Sequence, residues 1–248
     1  LEVDTGMGRA GFDWRRIEQW GPRVRDLLGP KLSWEGCFTH FHSADDLNEE
    51  STSSQWERFR STLQRLTFKP QGLVTHACNS PGSLRRPDFA GDAVRPGIFL
   101  YGGEAGKGLP TPSVVASLRA RIVLLKEVPP GSSVGYGATY TSRETERWAT
   151  VAIGYGDGLP RLLSNRGEAI VRGLRVPVVG RISMDVTVLN VTGVDSLEVG
   201  DVATFFGAAE GAHISVDEVA GHARTISYEV LTGLTGRLPR IWTDDAGY

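Results

Sequence analysis

Three clusters of polar residues interrupt apolar runs in the first part of the chain: Thr39-His40-Phe41, His76-Ala77-Cys78-Asn79-Ser80 and Arg95-Pro96-Gly97-Ile98. Each stands where a strand-like run stops. Histidine, asparagine, serine and arginine delivered to one place could bind a phosphorylated molecule. Gly97 would let backbone N–H groups approach phosphate oxygens. Taken singly, each residue also reads as a satisfied loop position, because strand ends are polar for solvation reasons alone. Later in the chain, Val134-Gly135-Tyr136-Gly137 and Gly154-Tyr155-Gly156-Asp157-Gly158 flank a tyrosine with glycines. Gly180-Arg181-Ile182-Ser183-Met184-Asp185 sets charge and sulfur inside an apolar run. Tyrosine in a hairpin is common, so each of these alone reads equally well as structural.

The elements that must position these residues differ between the two parts of the chain. Up to about residue 105, strand-like and helical runs alternate. Ile17, Trp20, Val24 and Leu27 have helical spacing, and Gly21-Pro22 is expected to break that helix in two. Strands are expected over Trp34–Phe41, Leu73–Ala77 and Val94–Leu100, with a long helix carrying Trp56, Phe59, Leu63 and Leu66 on one face. Strand, helix, strand reads as a parallel α/β architecture, in which strand ends converge on one site. Glu104–Pro112 reads as a linker. Beyond it the period changes to two, with Leu118, Ala120, Ile122 and Leu124 alternating, and short strands recur between Gly, Pro and Asn turns. These describe an antiparallel β domain. Ser215-Val216-Asp217-Glu218 has the pattern of a helix start. The expected division is 1–108 and 109–248.

The chain has 248 residues, enough for one large domain or two modest ones. Its 27 Lys+Arg against 29 Asp+Glu argue against a nucleic-acid partner. No apolar run approaches the roughly 18 residues of a membrane span. Cys37 and Cys78 lie in apolar runs and do not suggest a disulfide, so a cytoplasmic location is expected. No metal site is expected. The opening Leu1-Glu2-Val3-Asp4, with neither Met nor signal peptide, reads as a sequence that has lost its front end.

Eight segments in order resemble the motifs of the alanine racemase family: Asp4–Arg9, Thr39–Phe41, His76–Ser80, Arg95–Ile98 with Tyr101-Gly102, Val134–Tyr140, Gly154–Gly158, Gly180–Asp185 and Ile226–Glu229. The resemblance covers essentially the whole chain. It implies part of a (β/α)8 TIM-type barrel that binds pyridoxal 5'-phosphate, followed by an antiparallel β domain. It further implies a homodimer with shared active sites, alanine as substrate, and an isomerase that would supply D-alanine for peptidoglycan in a bacterium.

By this resemblance the reaction runs through a Schiff base with the cofactor and uses two bases, one per face of the α-carbon. Tyr136, reaching into the partner's site, is one base. A phenol is a weak base at neutral pH, and positive charge near His40 and Arg95 would favour its phenolate. Arg95 would face the pyridine nitrogen and, holding its own proton, leave that nitrogen unprotonated. The resemblance places the cofactor against Arg9, His40, Asn79, Ser80, Arg95, Gly97, Ile98 and Tyr228. It places the substrate against Arg9, Tyr136 and the backbone N–H of Met184. Asp45, Tyr155, Arg161, Arg181, Asp185 and Ile226 would line the substrate corridor.

The second base in the family is a lysine near the N-terminus, and Lys31, Lys69, Lys107 and Lys126 lie in none of the matching contexts. This chain alone is therefore expected to be inactive. Glu2 falls where some family members carry a carbamylated lysine, and its carboxylate is expected to position Arg9 directly. The alternatives are a non-catalytic remnant, a related racemase acting on serine, or a barrel-type decarboxylase. The decarboxylase is disfavoured because an acid is expected there in place of Arg95.

Overall fold

The computed structural model describes residues 1–28 and 32–243. They form two units, Leu1–Leu100 with Glu104–Thr111, and Tyr101–Gly103 with the chain from Pro112 onward. No helix among the described residues is long and apolar enough to cross a membrane.

In the first unit every strand contact is parallel. Strand β1 (Val3–Asp4) pairs with β2 (Phe12–Asp13), and β3 (Gly36–Phe38) pairs with β4 (Val74–His76). Parallel bridges Glu2–Phe38 and His76–Ala93 extend this line. Parallel neighbours need crossovers. Helix α1 (Ile17–Leu27) precedes β3, and α2 (Glu50–Arg65) joins β3 to β4, the βα repeat of a barrel. A shorter helix, α3 (Ser80–Arg85), follows β4. One core joins Val3, Ile17, Trp20, Val24, Trp34, Cys37, Phe59 and Leu66. A second joins Phe41, Ala77, Cys78 and Phe89.

Two expectations fail here. Helix α1 runs unbroken through Gly21-Pro22. Pro22 lies on the exposed face, where the Glu18 carbonyl left without a partner is also exposed, and the buried stripe of Ile17, Trp20 and Val24 carries the helix past it. The Val94–Leu100 run is no strand. The bridge at Ala93 lies just before it, and the run makes one bond from Arg95 N to Cys78 O (2.9 Å), then turns into the 3-10 segment Ile98–Tyr101. Pro96 has no N–H to continue a ladder, and the next N–H, from Gly97, goes to Ser80 Oγ at 2.8 Å instead.

The second unit is antiparallel throughout. Its main strands are β5 (Leu118–Val128), β8 (Glu146–Val151), β9 (Glu168–Val171), β10 (Leu174–Pro177), β11 (Thr187–Asn190) and β12 (Val202–Ala209). They lie in the order β10-β9-β12-β5-β8-β11, and β13 (Ala212–Ile214) pairs with β12. A bridge from Val178 to Leu189 joins the two ends of that path, so the sheet wraps around its core. A small hairpin, β6 (Ser133–Val134) with β7 (Tyr140–Thr141), carries Tyr136 at its tip. Ser215 Oγ caps α4 (Val216–His222) by accepting from Glu218 N at 3.0 Å, and α5 (Ser227–Gly233) follows. Along β5 the expected alternation fails at Leu124, which is 48% exposed. A bulge between Ile122 and Leu124 inserts a residue and shifts the inward face by one.

Polar side chains on the buried face of α2 organise the first unit. Gln55 is fully buried (0% exposed). Its Nε2 donates to Thr5 Oγ1 (3.2 Å) and to the His40 carbonyl (3.0 Å), and its Oε1 accepts from His42 N (3.0 Å). Thr5 and Thr39 hydroxyls join at 2.6 Å, and Arg58, one turn along α2, donates to the Thr5 carbonyl at 2.8 Å. One helix thus holds the loops that leave β1 and β3. Replacing Gln55 with Leu removes three hydrogen bonds and leaves the part-buried His40 carbonyl without this donor, and should cost about 2 kcal/mol, read from the denaturant midpoint of the complete protein. Thr52 is buried on the same helix and its hydroxyl has no partner. Thr52→Val should therefore fall between neutral and about 1 kcal/mol stabilising in the same measurement.

Candidate active site at the strand ends and the loops of the β unit

In the first unit the strand ends converge on Arg95. Its Nη2 donates to the carbonyls of Thr39 (2.8 Å) and Ala77 (3.3 Å) and lies 3.4 Å from His40 Nδ1, while Nη1 bonds to His76 Nδ1. The guanidinium sits 5.0 Å over the Phe38 ring, and Phe38 stacks on His76. Arg95 is thus held by carbonyls, ring nitrogens and a π face, with no carboxylate partner among the described residues. Arginine only donates, so Nδ1 of His76 must accept, which puts that ring's proton on Nε2. Burial, then the charge of Arg95, push both His40 and His76 below the ordinary histidine value. At His40 the nearby Arg9 charge adds to this effect. The imidazole at His40 is accordingly neutral at neutral pH, and the arginines carry the positive charge there.

Beside Arg95, the buried Ser80 hydroxyl accepts from Gly97 N (2.8 Å) and Phe99 N (3.4 Å), and its own proton goes to no acceptor among the described residues. A side chain at Gly97 would project into open space, so neither packing nor backbone angle demands glycine there. Ile98 is buried behind it. Asn79 spends its Oδ1 on the N–H of Gly82 (3.1 Å) at the start of α3, which leaves its Nδ2 as the free donor. Asp45 lies on an exposed loop whose carbonyl lies 3.4 Å from Arg85 Nη2.

Arg9 is exposed on a loop shaped by Asp4, whose Oδ1 accepts from Gly6 N (2.9 Å) and Gly8 N (3.0 Å). It makes no ion pair with Glu2 among the described residues. Glu2 packs instead beneath Gly11, where a Cβ would meet Glu2 Cγ at 2.9 Å.

In the second unit, Tyr136 is 69% exposed at the hairpin tip. Gly135 before it has φ +74, and a Cβ there would meet the Arg181 backbone N at 3.0 Å, so the Tyr136 loop lies directly on the Arg181 segment. The hairpin is anchored by Glu146, which accepts from Tyr140 Oη (2.9 Å) and Trp148 Nε1 (2.6 Å). Backbone bonds join the Tyr155 loop to the Met184 loop: Tyr155 N to Ser183 O (3.0 Å) and Gly156 N to Met184 O (2.9 Å). The loop carrying Arg161 meets the same segment where Ser164 Oγ accepts from Ile182 N at 3.0 Å. The unit therefore gathers Tyr136, Tyr155, Arg181, Met184 and Asp185 along connected loops. Ile226 and Tyr228 lie exposed at the start of α5.

Sequence reading passed over Gln55, the role of His76, Glu146 and Arg237. Gln55 had a legible signal, a polar residue in the register of Phe59 and Leu66 on the apolar stripe of α2. His76 had one too, since it ends a strand as His40 does. Arg237 had none.

A parallel βα unit whose strand ends gather Arg95 and Ser80, followed by an antiparallel β unit that presents Tyr136, defines a two-domain protein of barrel and β-domain class. Residues 1–105 match the family model for the alanine racemase N-terminal domain, and residues 115–242 match that for its C-terminal domain. The chain belongs to the alanine racemase family. It is 42% identical to the alanine racemase of Desulfosudis oleivorans, across 98% of this chain and 65% of that one. It is 40% identical to alanine racemase 2 of Bacillus subtilis, across 99% and 64%. Among solved structures, alanine racemase from D-cycloserine producing Streptomyces lavendulae aligns with TM-score 0.90 at 34% identity, covering 99% of this chain and 66% of that one. The Bartonella henselae alanine racemase, solved with covalently bound pyridoxal phosphate, aligns with TM-score 0.86 at 31% identity, covering 98% and 66%. The chain thus spans about 65% of the length of its first curated relative.

The neutral histidines make acid stability testable. A histidine whose folded pKa is depressed stabilises fully above its unfolded value, near 6.5, and loses that contribution as pH falls toward the folded value. The thermal midpoint of the complete protein should fall below about pH 6.5. His76→Gln should flatten that fall, and an unchanged slope between pH 7.5 and 5 would contradict the assignment.

Proposed function

We propose that the complete protein containing this chain interconverts L-alanine and D-alanine with pyridoxal 5'-phosphate. The observation that carries this reading is the Arg95 guanidinium, held by carbonyls and histidines without a carboxylate, beside the Ser80–Gly97 cradle. The cradle fits the cofactor's phosphate. Ser80 offers a buried hydroxyl proton with no other acceptor, and open space lies before Gly97. Gly97 N–H is already given to Ser80 Oγ, so the phosphate contact assigned to this turn falls chiefly to the Ser80 proton.

When bound, the cofactor supplies electron withdrawal that weakens the bond to the α-proton. Arg95 keeps its own proton, so it would hold the ring nitrogen by a hydrogen bond without protonating it, which would limit that withdrawal and side reactions with it. Arg9, exposed and unpaired, is free to meet the cofactor's phenolic oxygen and the substrate carboxylate. Tyr136, Met184, Tyr228 and the corridor residues other than Asp45 belong to the second unit. Tyr136 takes or returns the α-proton on one face, and its 69% exposure suits a residue that completes its site in a second copy of the chain. The lysine for the other face comes from outside these residues. Lys69 Nζ donates to the Leu63 carbonyl at 3.2 Å, and Lys126 lies 5.2 Å over the Trp148 ring. Lys31 lies outside the described residues. Free, buried Cys37 and Cys78 support a reducing cytoplasm.

The complete enzyme should racemise alanine, followed by loss of optical rotation, with serine assayed alongside as the alternative substrate. Tyr136→Phe should lower kcat by about 10²- to 10⁴-fold while cofactor absorbance persists. Ser80→Ala should weaken cofactor affinity about tenfold in an absorbance titration. Cofactor-loaded protein that leaves alanine unracemised would overturn the reading.

A further inference from the structure

We infer that Arg237 is a positioning residue that sets the substrate carboxylate site at Met184, an inference resting on the racemase reading above. Arg237 lies in the segment after α5, and its guanidinium bridges two carboxylates on two different loops. Nε is 3.2 Å from Asp157 Oδ1, and Nη2 donates to Asp185 Oδ1 at 2.6 Å. Asp157 is nearly buried and already tied to its own loop, its Oδ2 accepting from Gly154 N at 2.9 Å. The guanidinium lies against Gly156, where any side chain would run into it and would meet the Met184 carbonyl at 3.0 Å. Thr235, two residues earlier, adds a bond from its N–H to the Asp157 carbonyl (3.0 Å) and one from Oγ1 to the Gly156 carbonyl (3.1 Å).

This clamp determines where two amides point. The peptide unit is planar and trans, so its N–H points opposite to its C=O. The Ser183 and Met184 carbonyls both accept from the Tyr155 loop, at 3.0 and 2.9 Å. The N–H groups of Met184 and Asp185 therefore face away from that loop together, and neither donates a hydrogen bond among the described residues. Two free amides side by side suit a carboxylate. Their aim depends on the Tyr155 and Met184 loops staying in register, and Arg237 is the side chain that ties those loops by charge. It also engages Asp185, so that the carboxylate next to the site is paired and repels an anionic substrate group less.

The test compares the complete wild-type enzyme with Arg237→Met and Arg237→Lys, using alanine as substrate and propionate as a carboxylate probe. In Arg237→Met, KM for alanine and Ki for propionate should both rise about tenfold, with kcat within about threefold. Cofactor affinity should not move. Lysine reaches one carboxylate at a time and should give an intermediate rise. Adding Asp185→Asn to Arg237→Met should recover part of the Ki for propionate, since the unpaired carboxylate no longer repels it, while the lost tie to Asp157 keeps Ki above the wild-type value. A role confined to stability would lower the thermal midpoint and the fraction of active enzyme while leaving Ki for propionate unchanged, and that result overturns the inference. Wild-type enzyme inactive toward alanine would overturn the functional reading, and this inference with it.

Discussion

A carboxamide sealed inside the first unit decides where its functional groups can stand. Gln55 has to place its donors and acceptor on protein atoms, since no water reaches them, and the groups that satisfy it are Thr5, the His40 carbonyl and the His42 N–H. These belong to the ends of different strands. An apolar residue would pack α2 against the sheet as well, but without specifying the register of the loops above it. The polar contact converts generic βα packing into one arrangement of strand ends.

On that frame, Arg95 collects dipoles and neutral rings. A guanidinium with a carboxylate partner would be an ion pair like Arg172–Asp201 or Arg86–Asp88 on the surface. Burial disfavours its charge, yet arginine stays protonated because its intrinsic affinity for the proton is so high. Histidine lacks that reserve, so at His40 and His76 the same burial and the same neighbour favour the neutral form. One positive charge is therefore fixed and two titratable rings are kept neutral around it. That combination is available for holding, without protonating, a basic ring nitrogen.

The β unit reaches its positioning by a different route, backbone against backbone. Glycines at 135 and 156 remove the side chains that would separate adjacent loops, so the peptide bonds of one loop orient those of the next. Arg237 and Glu146 then pin these loops with charge-assisted or buried hydrogen bonds. Tyr136, Tyr155 and Met184 stay exposed at their tips, as residues with a ligand or a partner to meet must.

Local composition already determined the division into a parallel α/β part and an antiparallel part, the apolar faces of α1 and α2, and the clustering of polar residues where strands stop. Those features depend on period and side-chain type over a few residues. The motifs were enough to indicate the family, because their order and spacing are sequence properties. Tertiary structure alone decided that Pro22 leaves α1 whole, that β5 changes phase after Ile122, and that Gly97 gives its N–H to Ser80. It also decided that burial and Arg95 lower the proton affinity of His40, that Arg9 and Glu2 make no ion pair among the described residues, and that Arg237 reaches two aspartates eighty and fifty-two positions away. Each of these depends on which distant groups share a site, and on how far burial there shifts a proton or removes water. Neither quantity is written in the neighbouring residues of the chain.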